Sequence, residues 1–68
     1  MMFISFETAN ASIILRATDI EKIYLADDSS EFYIYFKNSD VERFYFDDYV
    51  EARAQFNSIM KQMGCINV

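Results

Sequence analysis

Two short aromatic stretches decide the fold of this chain: Phe32-Tyr33-Ile34-Tyr35-Phe36 and Phe44-Tyr45-Phe46. Successive residues of a β-strand point to opposite faces of the sheet. If both stretches are strands, phenylalanine and isoleucine occupy one face and tyrosine occupies the other. The alternation therefore predicts a sheet with an apolar core face and an amphipathic tyrosine face. Tyr24, on a preceding predicted strand, can join the tyrosine face.

Further strands are predicted on both sides of these stretches, where small polar residues separate apolar runs. Asp, Asn, Ser and Thr favour turns through hydrogen bonds from their side chains to the backbone. The predicted strands are residues 3–6, 12–17, 20–25, 31–37 and 41–46, with turns at 8–11, 27–30 and 38–40. A kink at Thr18-Asp19 either separates the second strand from the third or bends one longer strand.

The segment near residues 48–63 predicts an amphipathic helix. Asp47 or Asp48 is the predicted N-cap, and Asp48 followed by Glu51 resembles a capping box. Gly64 is the predicted stop signal. Three- and four-residue spacing predicts one apolar stripe, formed by Tyr49, Ala52, Phe56, Ile59, Met60 and Met63.

Together these elements predict one α+β domain over residues 1–68. We expect an antiparallel four- to five-stranded β-meander followed by one C-terminal α-helix packed on the phenylalanine face. Because a single helix covers one face of a sheet, the tyrosine face is expected to be bare in a monomer. Ile66 and Val68 form an apolar tail that either covers a sheet edge or frays.

The composition limits how so short a chain can be stabilised. A domain of 68 residues has a small core and is marginally stable alone. The single cysteine, Cys65, excludes an internal disulfide and is expected to be a free thiol, and the lack of histidine argues against zinc. Since 53% of the residues are hydrophobic and 18% aromatic, oligomerisation is the expected remedy. We predict a homodimer or larger assembly with no cofactor and no metal ion.

The formal net charge of −5 argues against nucleic acid as the main partner, because phosphate neutralisation dominates the affinity of proteins that bind it. The basic residues are scattered along the chain: Arg16, Lys22, Lys37, Arg43, Arg53 and Lys61. The first residues lack the basic start of a signal peptide, and no apolar run approaches the length of a membrane span. We expect a cytoplasmic protein of bacterial or phage type that does not contact a membrane.

Catalytic chemistry has little support in the sequence. The chain has no histidine, no nucleophile motif and no glycine-rich phosphate loop, and its size leaves little room for a substrate pocket. Asp27-Asp28 and Asp47-Asp48 are interpreted as a turn and a helix cap, because they lack the ligand spacing of a calcium loop. We predict that the protein is not an enzyme.

The predicted tyrosine face is the candidate functional surface, because tyrosine is enriched at the centres of protein interfaces. The candidate contact residues are Tyr24, Tyr33, Tyr35, Arg43 and Tyr45. We interpret the chain as a small acidic interaction or regulatory protein that self-associates through this face, most simply as a dimer. A foreign protein is the other partner considered for the same surface.

Two further interpretations stay open. In the first, the chain is an acidic inhibitor of the phage or mobile-element type, which imitates the charge of nucleic acid and occupies a basic groove on a nucleic-acid-processing protein. In the second, single-stranded nucleic acid stacks on the tyrosines while Arg16, Lys22 or Arg43 meets phosphate. The order of strands and helix is similar to the dimeric transcriptional-coactivator type of single-strand binder, whose basic loops this chain lacks.

The stretch from Ile13 to Ile23 resembles the strand–kink–strand opening of small bacterial FlbD-like proteins. The similarity continues over roughly residues 3–60, through the aromatic strand, the turn at Asn38-Ser39 and the capped helix at Asp47-Asp48. FlbD-like proteins usually carry Asn-Gly in the last turn and Lys-Glu-Ser at the start of the helix, and this chain departs from both. The resemblance implies a small regulatory or adaptor role and carries no catalytic residue.

Overall fold

The computed structural model describes residues 3–64 and confirms the predicted α+β fold class. Within this range, five antiparallel strands and one α-helix enclose a common apolar core. The strands are β1 Phe3–Glu7, β2 Ser12–Arg16, β3 Ile20–Tyr24, β4 Glu31–Phe36 and β5 Val41–Tyr45, and the helix is α1 Tyr49–Gln62. Cys65 and the tail residues Ile66 and Val68 lie outside the described residues.

The strands are divided between two sheets, whereas the sequence predicted one continuous meander. β1 and β2 form a hairpin, and β3, β4 and β5 form a three-stranded sheet in that order. The predicted kink explains the division, because Ala17–Asp19 forms a 3-10 turn that redirects the chain from one sheet into the other. The N–H of Ala9, in the turn of the hairpin, donates to the C=O of Tyr45 at the end of β5 (3.1 Å) and joins the two sheets.

The two hairpin turns of the three-stranded sheet place polar residues in the left-handed region of the backbone. Asp28 has a φ of 61° and Ser39 a φ of 79°, values that most side chains disfavour. A local hydrogen bond supports the second turn, where the N–H of Asp40 donates to Oδ1 of Asn38 (3.0 Å). Both predicted turns are confirmed, and Asp27-Asp28 belongs to the first of them.

The helix α1 begins after Asp48, whose carboxylate caps its first turn. Oδ1 of Asp48 accepts a hydrogen bond from the backbone N–H of Glu51 (2.9 Å), which decides between Asp47 and Asp48 as the N-cap. The carboxylate of Glu51 accepts from Nε2 of Gln55 (3.3 Å). At the other end, Gly64 has a φ of 76°, a conformation typical of the residue that follows a helix.

The predicted apolar stripe of α1 faces the core at four of its six residues. Ala52 and Ile59 are fully buried, and Phe56 and Met63 are half-buried against them. The prediction that Tyr49 belongs to this stripe is wrong, because its side chain is 52% exposed. The first turn of the helix lies where the chain leaves the end of β5, and the helix reaches the core only from Ala52 onward.

Phe32, on the central strand β4, is the centre of the core. It is fully buried. Its ring lies near four other phenylalanine rings, with centroid distances of 4.8 Å to Phe46, 5.5 Å to Phe6, 6.1 Å to Phe44 and 6.1 Å to Phe56. Aromatic pairs at such distances contribute about 0.5–1.5 kcal/mol beyond the area that they bury. One side chain therefore joins β1, β5, the segment after β5 and α1.

Two glutamines of α1 cover the free edge of β1. The side-chain amide of Gln62 accepts from the N–H of Ser5 (2.9 Å) and donates to the C=O of the same residue (2.8 Å), as a neighbouring strand would. The N–H of Glu7 donates to Oε1 of Gln55 (3.1 Å). With β2 on its other side, β1 has a covered edge that a foreign strand cannot readily extend.

We expect Phe32→Ala to lower the free energy of unfolding by about 3–5 kcal/mol, because it removes a ring that is fully buried. Small domains have a total stability of about 5–15 kcal/mol, so the variant loses most of its folded population on mild denaturation. Urea titration followed by circular dichroism measures the loss. Phe3→Ala makes the same chemical change at a ring that is 51% exposed, and its loss should stay below about 1 kcal/mol. Equal losses would contradict the central role of Phe32.

We expect Asp48→Ala to destabilise the protein by about 1 kcal/mol, because it removes the cap on the Glu51 N–H. Asp47→Ala is the matched control, since it removes the same charge one residue earlier without removing the cap, and it should cost only a few tenths of a kcal/mol. The same urea titration compares the two. A larger loss from the control would show that the cap lies at Asp47.

Candidate functional site on the tyrosine face

The strand register brings the predicted contact residues to one surface. Phe32 and Ile34 of β4 are buried on the inner side, so Tyr33 and Tyr35 point to the outer side. Residues paired directly across neighbouring strands share a face. This outer side, called the tyrosine face below, consists of Lys22, Tyr24, Glu31, Tyr33, Tyr35, Val41, Arg43 and Tyr45. All five residues predicted from the sequence lie on it.

Tyr33 and Tyr35 form the middle of the tyrosine face. Tyr33 is paired with Tyr24 of β3 on one side and with Arg43 of β5 on the other. Tyr35 is paired with Lys22 of β3. Directly paired side chains have Cβ atoms about 4.5–5.5 Å apart, so the three strands present one continuous surface of rings and cations.

Both cations of the tyrosine face stack on tyrosine rings. Nζ of Lys22 lies 4.6 Å from the ring centroid of Tyr35, and the guanidinium carbon of Arg43 lies 5.1 Å from that of Tyr45. At exposed sites such contacts are worth about 0.5–1 kcal/mol each. They hold two long side chains against the sheet, which reduces the side-chain entropy that a binding partner would otherwise have to remove.

Three neighbouring side chains, Glu31, Tyr33 and Arg43, cross the face from β4 to β5. The hydroxyl of Tyr33 donates to Oε2 of Glu31 (3.1 Å). The pKa of Arg43 lies above its ordinary value, chiefly because the neighbouring Tyr33 hydroxyl accepts a hydrogen bond from the guanidinium, and next because of Tyr45. Arg43 is therefore a fixed positive charge at the rim of the rings.

Within residues 3–64, the tyrosine face of the single chain is open to solvent. α1 packs on the inner side of the sheets, and Tyr24, Val41 and Tyr45 each keep about half of their surface exposed. Tyr33 and Tyr35 are half-buried, since neighbours on both sides cover parts of their rings. An uncovered aromatic surface rimmed by charges is typical of a protein contact site.

An irregularity at the edge of this face escaped the sequence analysis. The register of β3 against β4 shifts between Ile20 and Lys22, which leaves Glu21 without a partner and identifies a β-bulge. Ile20 and Ile23 consequently both point inward, although they are three positions apart and not two as in a regular strand. The sequence does contain a signal for this bulge, because two isoleucines flank two charged residues. A regular strand cannot bury both isoleucines of such a pair on one face.

Arg16 does not lie on the tyrosine face. It belongs to β2 in the other sheet, opposite Phe3, and its side chain approaches Asp19 at 4.0 Å. The interpretation as a single-strand binder invoked three cations, and only Lys22 and Arg43 lie among the tyrosines. The structure corrects the prediction for Arg16 because the 3-10 turn separates its strand from the sheet that carries the tyrosines.

A second exposed apolar spot was not identified from the sequence. Phe3 and Ile14 lie on the outer side of the β1–β2 hairpin, diagonally across the strand pair, and both are exposed. Val50, at the start of α1, is exposed as well. Single exposed apolar side chains are common on soluble domains, and these residues lack the rows of neighbouring rings that distinguish the tyrosine face.

The acidic pairs have structural places in the fold. Asp27 approaches Arg53 at 3.8 Å across exposed surface, and Asp48 caps α1. In the part of the chain that the structure describes, acidic side chains form no cluster of three suited to a metal ion. None of the helices formed by residues 3–64 has the length and apolar character to cross a membrane.

Comparisons of the chain with known protein families, with characterised proteins and with solved structures find no match. The resemblance to FlbD-like proteins therefore stays a prediction. The tyrosine face remains as the basis for a functional proposal.

Proposed function

We propose that this chain is a small non-enzymatic interaction protein that self-associates through its tyrosine face. The observation that carries the proposal is the position of all five predicted contact residues on the side of the three-stranded sheet that α1 leaves uncovered. Tyrosine and arginine are enriched among residues that dominate interface energies, because they combine large contact area with polar groups. A regulatory or adaptor role suits a protein that acts by contact alone.

The charge distribution favours contact between two copies at this face. The tyrosine face holds two cations, Lys22 and Arg43, and one carboxylate, Glu31. It is therefore net positive, whereas the whole chain carries −5. Two copies that met through the acidic remainder of the surface would bring like charges together. At the tyrosine face each copy carries a net charge of only +1, which repels its copy less than the acidic remainder would, and Glu31 of each copy can meet one cation of the other.

The size of the face indicates a weak dimer. Three strands at about 4.8 Å spacing and five residues at about 3.3 Å each span roughly 14 by 17 Å. Stable interfaces bury about 800 Å² per partner, which exceeds what so small a patch supplies. We therefore expect a dimer that dissociates on dilution through the micromolar range.

Binding of single-stranded nucleic acid is the second candidate function. The contacts of Lys22 with Tyr35 and of Arg43 with Tyr45 place cations beside stacking rings, which is the combination that single-strand binders use. The net charge of −5 opposes it. Quenching of tyrosine fluorescence by an oligonucleotide, with a stoichiometry of one site per chain, would support this candidate over self-association.

We expect Tyr45→Ser to weaken self-association about tenfold or more, because it removes an exposed ring and the surface on which Arg43 stacks. Sedimentation equilibrium over a hundredfold range of concentration measures the dissociation constant. Tyr49→Ser is the matched control, since Tyr49 is 52% exposed and Tyr45 51% exposed, but Tyr49 lies on α1. Equal effects of the two variants, or none from either, would contradict the proposal.

The double variant Tyr33→Ser/Tyr35→Ser extends the same test to the middle of the face. Circular dichroism should show that the double variant remains folded. It should associate more weakly than Tyr33→Ser or Tyr35→Ser alone. Unfolding of the double variant would show that these rings belong to the core of the monomer instead. Association through rings should also survive high salt, whereas a charge-led complex of the acidic-inhibitor type would weaken steeply.

A further inference from the structure

The outer edge of β3 offers backbone groups that the tyrosine face does not use, although the side chain of Lys22 belongs to both. Among residues 3–64 the sheet order is β3–β4–β5, so within this range β3 has a strand neighbour, β4, on one side only. Below this edge, on the inner side, lies an open apolar groove of about 220 Å³ between β3 and α1. The groove is lined mainly by Ile20, Ile23, Phe56, Met60 and Met63. An edge strand beside an apolar groove is a site where another strand can add.

The backbone directions show which groups this edge offers. The N–H of Phe36 donates to the C=O of Asp40 (2.8 Å), so Phe36 and the residue two before it, Ile34, direct their backbone groups toward β5. Their partners on β3 are Ile20 and Ile23, whose backbone groups consequently point away from β4. The N–H of Ile20 is used by the preceding 3-10 turn. The C=O of Ile20 and both groups of Ile23 face the free edge.

The bulge selects the kind of strand that fits. In a regular strand, the groups that face one edge recur every second residue. Here they recur after three, at Ile20 and Ile23, because Glu21 is the extra residue of the bulge. A regular foreign strand is therefore out of step with this edge. An identical strand running antiparallel carries the same spacing and matches it by symmetry.

The side chains of β3 are complementary to themselves in that arrangement. The sequence Ile20-Glu21-Lys22-Ile23 aligned antiparallel with its own copy sets isoleucine against isoleucine and each glutamate against a lysine. A shift of one residue in either direction sets lysine against lysine or glutamate against glutamate. Opposite charges across a strand pair stabilise it and like charges destabilise it, so one register is favoured over its neighbours.

We propose that β3 pairs antiparallel with β3 of a second copy, about a twofold axis between Glu21 and Lys22. The N–H of Ile23 then donates to the C=O of Ile20 in the other copy, twice by symmetry. The two apolar grooves lie on the same side of the joined sheet and adjoin across the axis, where the flexible side chains of Met60 and Met63 fill the space between the helices. This contact goes beyond the proposed function, because it uses the strand edge and, apart from Lys22, leaves the tyrosine face free.

Edge pairing changes what the tyrosine face can reach. Two three-stranded sheets joined through β3 form one sheet of six strands, about 29 Å wide at 4.8 Å per strand. The tyrosine faces of the two copies become continuous on the outer side. The tyrosine face, which is too small for a stable interface in one copy, is doubled in area. Edge pairing through β3 and contact through the tyrosine face together give a tetramer with three perpendicular twofold axes.

Charge reversal at the axis tests the proposal. Glu21→Lys and Lys22→Glu each replace two opposite-charge pairs with two like-charge pairs, and each should weaken edge pairing about tenfold. Mixing the two variants restores opposite charges, so native mass spectrometry should show the mixed dimer in large excess over either homodimer. The double variant Glu21→Lys/Lys22→Glu restores them within one chain and should recover association. Glu42→Lys, at an exposed residue of β5, is the control for the change in net charge. The comparison is made in the Tyr45→Ser background, because Lys22 also belongs to the tyrosine face.

The amide of Ile23 provides an independent measurement. Its hydrogen exchange should be slow at high protein concentration and fast after dilution, and Tyr45→Ser should not change that dependence. A lack of rescue on mixing would overturn the proposal, as would fast exchange of the Ile23 amide at every concentration. Slow exchange at every concentration would also overturn it, because the edge of β3 would then be occupied within one chain. Faster exchange of the Ile23 amide after removal of residues 65–68 would identify the tail as the occupant. The two contacts can be distinguished, because Tyr45→Ser should weaken association through the tyrosine face while the rescue of β3 edge pairing on mixing the charge variants stays intact.

Discussion

The structure depends on the burial of one ring. Phe32 lies at the centre of β4 and meets aromatic rings from β1, from the region of β5 and from α1. In a chain without an internal disulfide or a histidine site, such contacts have to supply the cohesion that small domains often take from cross-links or metals. The position of Phe32 also fixes the orientation of its neighbours, because turning it inward turns Tyr33 outward. The core and the tyrosine face are two results of one alternation.

The helix determines which face of the three-stranded sheet is buried and which stays exposed. α1 places Ala52 and Ile59 on the inner side, and its glutamines hold β1 beside it. Within residues 3–64, no helix packs on the outer side, where cations stack on rings and remain solvated. The chain thus concentrates its packing on one side of the three-stranded sheet and its contact chemistry on the other.

The sequence was sufficient for features that depend on local periodicity. The strand faces around Phe32, the turn at Asp28 and the cap at Asp48 follow from spacing and side-chain type, and the structure confirms them. Features that depend on register between distant segments were not predictable in this way. The division into two sheets, the bulge at Glu21 and the glutamine contacts with β1 arise from how strands and helix meet. Tyr49 shows the same limit, since helical spacing alone does not say where a helix first touches the core.

Because Gln62 lies near the end of the described chain, the edge of β1 is covered late during translation. Ser5 and Gln62 are 57 positions apart, so the contact that covers this strand forms late. The β1–β2 hairpin ends at Arg16, and Gln62 follows 46 positions later. At translation rates of about 5–20 residues per second, the hairpin has been made roughly 2–9 s before its cover exists. During that interval the edge of β1 in the nascent chain is uncovered. Until α1 has been synthesised, β1 is exposed to pairing with nascent chains on neighbouring ribosomes of the same mRNA.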